Sequence, residues 1–201
     1  MKSLIRRCLV ASIGIVFVGY QGVSAQTTWD AQSLMRALAG VKEAQLTFVE
    51  HRTSAFLVDE IMLTGRMVYL APDRIEKFVE TPFVENIKIH GDKITIEKIS
   101  ARGGSTLRSY SLSSIEALNT TVAGIQATLS GNFSALTDNY DVELSGVMSN
   151  WSVLLIPKNP EVLGIIEKIA VSGSDSKIKI IETYDADGDE TRLNLSYQMI
   201  K

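Results

Sequence analysis

The chain has 201 residues, of which 45% are hydrophobic, 21% charged and 7% aromatic, with a formal net charge of −3. That length suits one globular domain with a sizeable core, and the ordinary apolar content excludes a disordered chain. A single cysteine excludes a disulfide framework and a cysteine-based zinc site, and the slight acidic excess argues against nucleic acid as a partner.

The first feature along the chain has the form of an export signal. Lys2, Arg6 and Arg7 precede a mostly apolar run from Cys8 to Tyr20, and Val23-Ser24-Ala25 puts small residues at −3 and −1 of a cut after Ala25. The run is shorter than the roughly 20 residues a membrane-spanning helix needs. Cys8 opens the run rather than following a lipobox, and Arg6-Arg7 lacks the flanks of a twin-arginine signal, so ordinary Sec export is expected. Residues 1–25 are then a signal peptide and 26–201 the working domain, with 17 basic and 23 acidic residues, a charge of −6, and no cysteine.

Helical spacing of Leu34, Met35, Leu38 and Val41, with Asp30 as N-cap, predicts a helix over 29–42. Strand-like segments follow at 45–56, 60–70, 74–80, 84–90 and 93–100, then 106–112, with a hairpin turn at His90-Gly91-Asp92-Lys93. Ile115, Leu118, Val122, Ile125 and Leu129 mark a helix over 113–129, Gly131 ends it, and a shorter helix is expected over 133–139. Strands resume at 141–147, 151–156, 165–172, 177–184 and 191–199, with a turn over 185–189. About ten closely spaced strands and two or three helices make an α+β fold. Its expected form is an open, strongly curved antiparallel sheet, an incomplete barrel, covered by helices on its concave face.

Catalytic signatures are sparse, and no enzyme is expected. His51 and Glu50 are strand neighbours and point to opposite faces, so they form no orienting pair. No Gly-x-Ser-x-Gly elbow is present. Asp185, Asp187 and Asp189 fail as an EF-hand loop, because the sixth and twelfth positions hold Glu190 and Ser196, so no metal site or cofactor is predicted. More unusual are the strands with apolar residues on both faces, at 67–70 and 153–156. Burial on both sides and the lining of a ligand cavity explain them equally well.

Several segments, in this order and spacing, resemble one family across the mature chain. They are Phe48-Val49-Glu50, then GRMVYLAPDRIEKF from Gly65 to Phe78, Pro82, Ile89-His90-Gly91-Asp92 and Ile94. Gly131-Asn132-Phe133, WSVLLIP from Trp151 to Pro157, Ile169 to Gly173, Glu182 and Asp187-Gly188-Asp189 complete the set. The chain resembles the LolA outer-membrane lipoprotein carriers, most closely the LolA-like proteins found with lipid-exporter and acyltransferase genes.

The resemblance implies a monomeric periplasmic carrier that holds acyl chains in an apolar cavity and moves them toward the outer membrane. The partners it implies are an acylated lipoprotein or lipid cargo, an inner-membrane exporter as donor and an outer-membrane acceptor. Strand alternation nominates Phe48, Met67, Tyr69, Ile87, Ile89, Trp151, Val153, Leu155, Leu193, Leu195 and Tyr197 as the cavity lining, with Leu118, Val122 and Ile125 as the lid. The alternative for each is ordinary core packing. One departure stands out: the family's lid-latching arginine before a proline is replaced here by Ala71, before Pro72. Two other functions remain open: a lipid-binding sensor or regulatory module, and a small exported acyl-ester hydrolase.

Overall fold

A computed structural model describes residues 29–54 and 59–198. The expected signal peptide, Cys8, and the outer ends of the first and last predicted strands (Ala55, Phe56, Met199) lie outside those residues. Among the described residues the elements are α1 (Ala31–Leu38), β1 (Glu43–Thr53), β2 (Ile61–Leu70), β3 (Arg74–Thr81), β4 (Val84–His90), β5 (Lys93–Ile99) and β6 (Ser105–Ser111). After a 3-10 turn at Leu112–Ser114 come α2 (Glu116–Ser130), α3 (Phe133–Asn139), β7 (Tyr140–Val147), β8 (Asn150–Pro157), α4 (Pro160–Leu163), β9 (Ile166–Ser174), β10 (Lys177–Asp185) and β11 (Glu190–Tyr197).

All eleven strands form one antiparallel sheet in the order β6-β5-β4-β3-β2-β1-β11-β10-β9-β8-β7. Each hairpin pairs with its sequence neighbour, and β1 against β11 joins the two halves, with Phe48 opposite Leu195. The sheet does not close: β6 and β7 are its two free edges. The architecture is therefore the expected open antiparallel sheet with helices.

Local chemistry fixes the elements. Asp30 caps α1, accepting from the Ser33 amide at 2.7 Å, and the helix buries Leu34, Met35 and Leu38. Gly131 ends α2 in the left-handed region at φ 68°, where a Cβ would sit 2.1 Å from the Met35 carbonyl oxygen. Gly65 lies at a register shift between β2 and β3, where a Cβ would stand 1.9 Å from the Phe78 carbonyl oxygen. Such a bulge bends the strand, and only glycine fits against the neighbouring backbone.

Two details differ from the expectation. The spacing puts Ile115 on the apolar stripe of the second helix, but its backbone is extended, it precedes the helix, and its side chain is exposed. The run Leu112-Ser113-Ser114 forms its own turn because Asp92 accepts from the Ser113 amide and from the Ser111 and Ser113 hydroxyls, anchoring it to the β4–β5 hairpin. The short α4 was not expected; Asn159 caps it through the Glu161 amide at 2.9 Å, and Pro160 occupies its first turn.

The core is asymmetric. Helices α2, α3 and α4 pack on the strands β7–β9, where Trp151, Val153, Leu155, Ile169 and Val171 are fully buried. The Tyr140 hydroxyl donates to the Thr120 carbonyl of α2, and a Cβ on Gly124 would meet that tyrosine at 2.6 Å. Tyr140, at the start of β7, thus anchors α2, while the other half of the sheet extends past the helix.

Candidate functional site

Between α2 and the less covered half of the sheet lies a cavity of about 240 Å³. Its wall comes from Met67 on β2, Ile75 and Lys77 on β3, Ile87 and Ile89 on β4, Ile94 on β5, Ile181 and Thr183 on β10, and Thr191 and Leu193 on β11. Leu118, Val122 and Ile125 of α2 form its roof, and Glu50 of β1 completes the lining. The strand residues share the cavity because directly opposed residues of antiparallel strands point to one face: Met67 faces Lys77, Lys77 faces Ile87, and Ile87 faces Ile96.

Of the fourteen residues nominated from sequence, seven meet here: Met67, Ile87, Ile89 and Leu193, with Leu118, Val122 and Ile125 above them. The other seven lie elsewhere. Trp151, Val153 and Leu155 are sealed under the helices, and the Trp151 indole donates to the Asp175 carbonyl at 2.9 Å. Tyr69, Leu195 and Tyr197 border a separate void of about 10 Å³ beneath α1, beside Leu38 and Val41. Phe48 lies below the Lys77 ammonium, whose nitrogen is 4.9 Å from the ring centroid.

The cavity also holds a buried ion pair that the apolar reading missed. The Lys77 ammonium donates to Glu50 Oε2, and the Glu50 and Lys77 side chains are only 3% and 13% exposed. Arg52 Nε donates to the other Glu50 oxygen at 2.6 Å. Burial pushes the Lys77 ammonium below the ordinary lysine range, against the opposing pull of Glu50. Strand alternation carried the signal: Glu50 continues the inward series Ala44, Leu46, Phe48, and Lys77 stands between inward Ile75 and Val79. His51, on the opposite face, pairs instead with Glu60 at 2.8 Å.

The roof is held differently from the latch the resemblance implies. Ala71 is backbone-bonded to Lys42, while the Gln126 amide of α2 donates to the Asp73 carbonyl at 2.7 Å, two residues from Ala71. Gln126→Ala is expected to loosen α2 over the cavity. Amide exchange in α2 should rise severalfold with a fall in Tm of only a few degrees, as one hydrogen bond contributes about 1 kcal/mol.

Against known families, residues 23–198 match the outer membrane lipoprotein carrier protein LolA-like family. The chain belongs to that family. Two solved structures are similar in fold, a LolA superfamily protein from Nitrosomonas europaea and MucB in complex with the periplasmic part of MucA. The first is 11% identical with a TM-score of 0.42, over 87% of this chain and 95% of that one. The second is 12% identical with a TM-score of 0.41, over 86% of this chain and 58% of that one. No curated protein matches the sequence.

In a LolA-like chain this arrangement can shelter hydrocarbon. Nothing lining the cavity forms a nucleophile–base pair; its polar members are two threonines and the Glu50–Lys77 pair, which are engaged with each other.

Proposed function

We propose that this protein is a periplasmic carrier that takes an acyl chain of a lipoprotein or lipid into the cavity beneath α2. It would receive that cargo from an inner-membrane exporter and pass it toward an outer-membrane acceptor. The observation that supports this most is the apolar cavity left open between α2 and the strands β1–β5, β10 and β11. Membership of the LolA-like family supports the same reading.

The physical need is large. At about 0.8 kcal/mol per methylene, a fifteen-carbon chain exposed to water costs on the order of 12 kcal/mol. The cavity is smaller than the roughly 300–1,000 Å³ typical of sites for drug-sized ligands, so a full chain enters only if α2 lifts or the tail continues along the sheet. The first route would break the Gln126 hydrogen bond to the β2–β3 turn, and the second follows the concave face, which runs on toward β6.

Fluorescence titration with N-phenyl-1-naphthylamine, displaced by oleate, tests the reading. One saturable site per protein, displaced competitively, is expected. Hydrolysis of acyl esters by a protein that takes up no dye would support the hydrolase reading instead.

A further inference from the structure

The concave face does not end where α2 stops covering it. Ile87, a cavity residue, is opposed by Ile96 of β5, and Ile96 by Arg108 of the edge strand β6. In the flanking rows Ile94 is opposed by Tyr110, and Lys98 by Thr106. With strands about 4.8 Å apart, Arg108 stands roughly 10 Å from Ile87 along the sheet. The same face therefore carries, on the next two strands, a groove of about 320 Å³ lined by Ile96, Lys98, Thr106, Arg108 and Tyr110.

This groove reverses the charge of the molecule. The chain is acidic overall, with a net charge of −3. Yet the inner face of β1–β6 sets Arg52, Lys77, Lys98 and Arg108 against only Glu50 and Glu85. Glu50 is committed to Lys77 and Arg52, and Glu85 to Lys98 at 3.3 Å. The Arg108 guanidinium makes no ion pair or hydrogen bond with any described residue, and the hydroxyl-bearing Thr106 and Tyr110 flank it at i−2 and i+2 on the same face. A guanidinium fork between two hydroxyls, at the end of an apolar trough, is a donor set for an oxyanion.

We propose that the β5–β6 shelf binds the anionic, phosphate-bearing headgroup of an amphiphile whose acyl tail lies in the cavity under α2. This rests on the carrier reading above and names the class of cargo: a tailed oxyanion rather than a neutral lipid. The tail supplies the apolar contact, and the unpaired Arg108 guanidinium fixes which end of the molecule faces outward.

The test compares 1-oleoyl-lysophosphatidate with 1-monooleoylglycerol, which carries the same tail on an uncharged head, by dye displacement from the wild-type protein and from R108Q. Arg108 lies on an exposed edge strand, so R108Q should keep the wild-type Tm. The expected result is that lysophosphatidate binds at least tenfold more tightly than monooleoylglycerol in low salt. R108Q should remove most of that difference and leave the neutral lipid unchanged. Equal binding of the two lipids, unaffected by R108Q, would overturn the shelf while leaving the carrier reading standing. Failure of both lipids to displace the dye would count against the carrier reading itself. Displacement by inorganic phosphate at the concentration that suffices for lysophosphatidate would make the shelf a free-anion site and also refute the proposal.

Discussion

Replacing Glu50 with leucine should cost this domain roughly 3–5 kcal/mol, because it leaves the Lys77 ammonium buried without its carboxylate. Lys77→Met should cost less, since Glu50 keeps Arg52 at 2.6 Å. The double variant E50L/K77M should return to wild-type stability or exceed it by about 1–4 kcal/mol, as apolar replacements of buried pairs often do. Urea unfolding of the four proteins completes the cycle, and additive single-site losses would show that the pair is not coupled.

The same pair gives a pH signature. Lys77 is held below its unfolded value of 10.5 in the folded state. Where both states are protonated, the cost of burying the charge is present in full. As pH rises through the folded value toward 10.5, the folded protein sheds the proton first and the unfolded chain binds more, so stability gains. The wild type should therefore gain on E50L/K77M as pH climbs from neutrality into that range. A difference independent of pH would place Lys77 in water.

Val122→Trp should abolish acyl binding with little loss of fold. Val122 points from α2 into the cavity between Leu118 and Ile125, and an indole there takes the space a tail would occupy. Affinity for oleate is expected to fall at least tenfold, while Tm moves by a few degrees, because the added atoms enter open volume rather than a filled core. Leu155→Ala is the contrasting change: this fully buried side chain lies outside the cavity, so its loss should cost about 2–5 kcal/mol and leave oleate affinity unaltered. Were V122W to unfold the protein as L155A does, the cavity would be ordinary packed core.

Much of this architecture is legible in the residues. Period-two alternation locates the strands, Asp30 and Gly131 mark helix ends, and short connections force antiparallel neighbours. Alternation also assigns each side chain to a face, which is why Met67, Ile87, Ile89 and Leu193 were found. It does not say where on that face a helix will rest. Trp151, Val153 and Leu155 share the inner face with Met67, but α2 and α3 lie on their half of the sheet, pinned by Tyr140 against Gly124. That placement depends on contacts between residues far apart in sequence. Glu50 and Lys77 are harder to read for a different reason: their strand positions point inward, but a charged side chain does not disclose the partner that makes its burial possible. Each makes the other's burial tolerable, and the pairing becomes visible only once β1, β2 and β3 are side by side.

Extraction of the protein purified without detergent, followed by mass spectrometry, tests the central claim most directly. Acylated molecules should accompany the wild type in near-stoichiometric amount and be absent from V122W prepared in parallel. Wild-type protein carrying no more acyl material than V122W would contradict the claim that the space beneath α2 exists to hold an acyl chain.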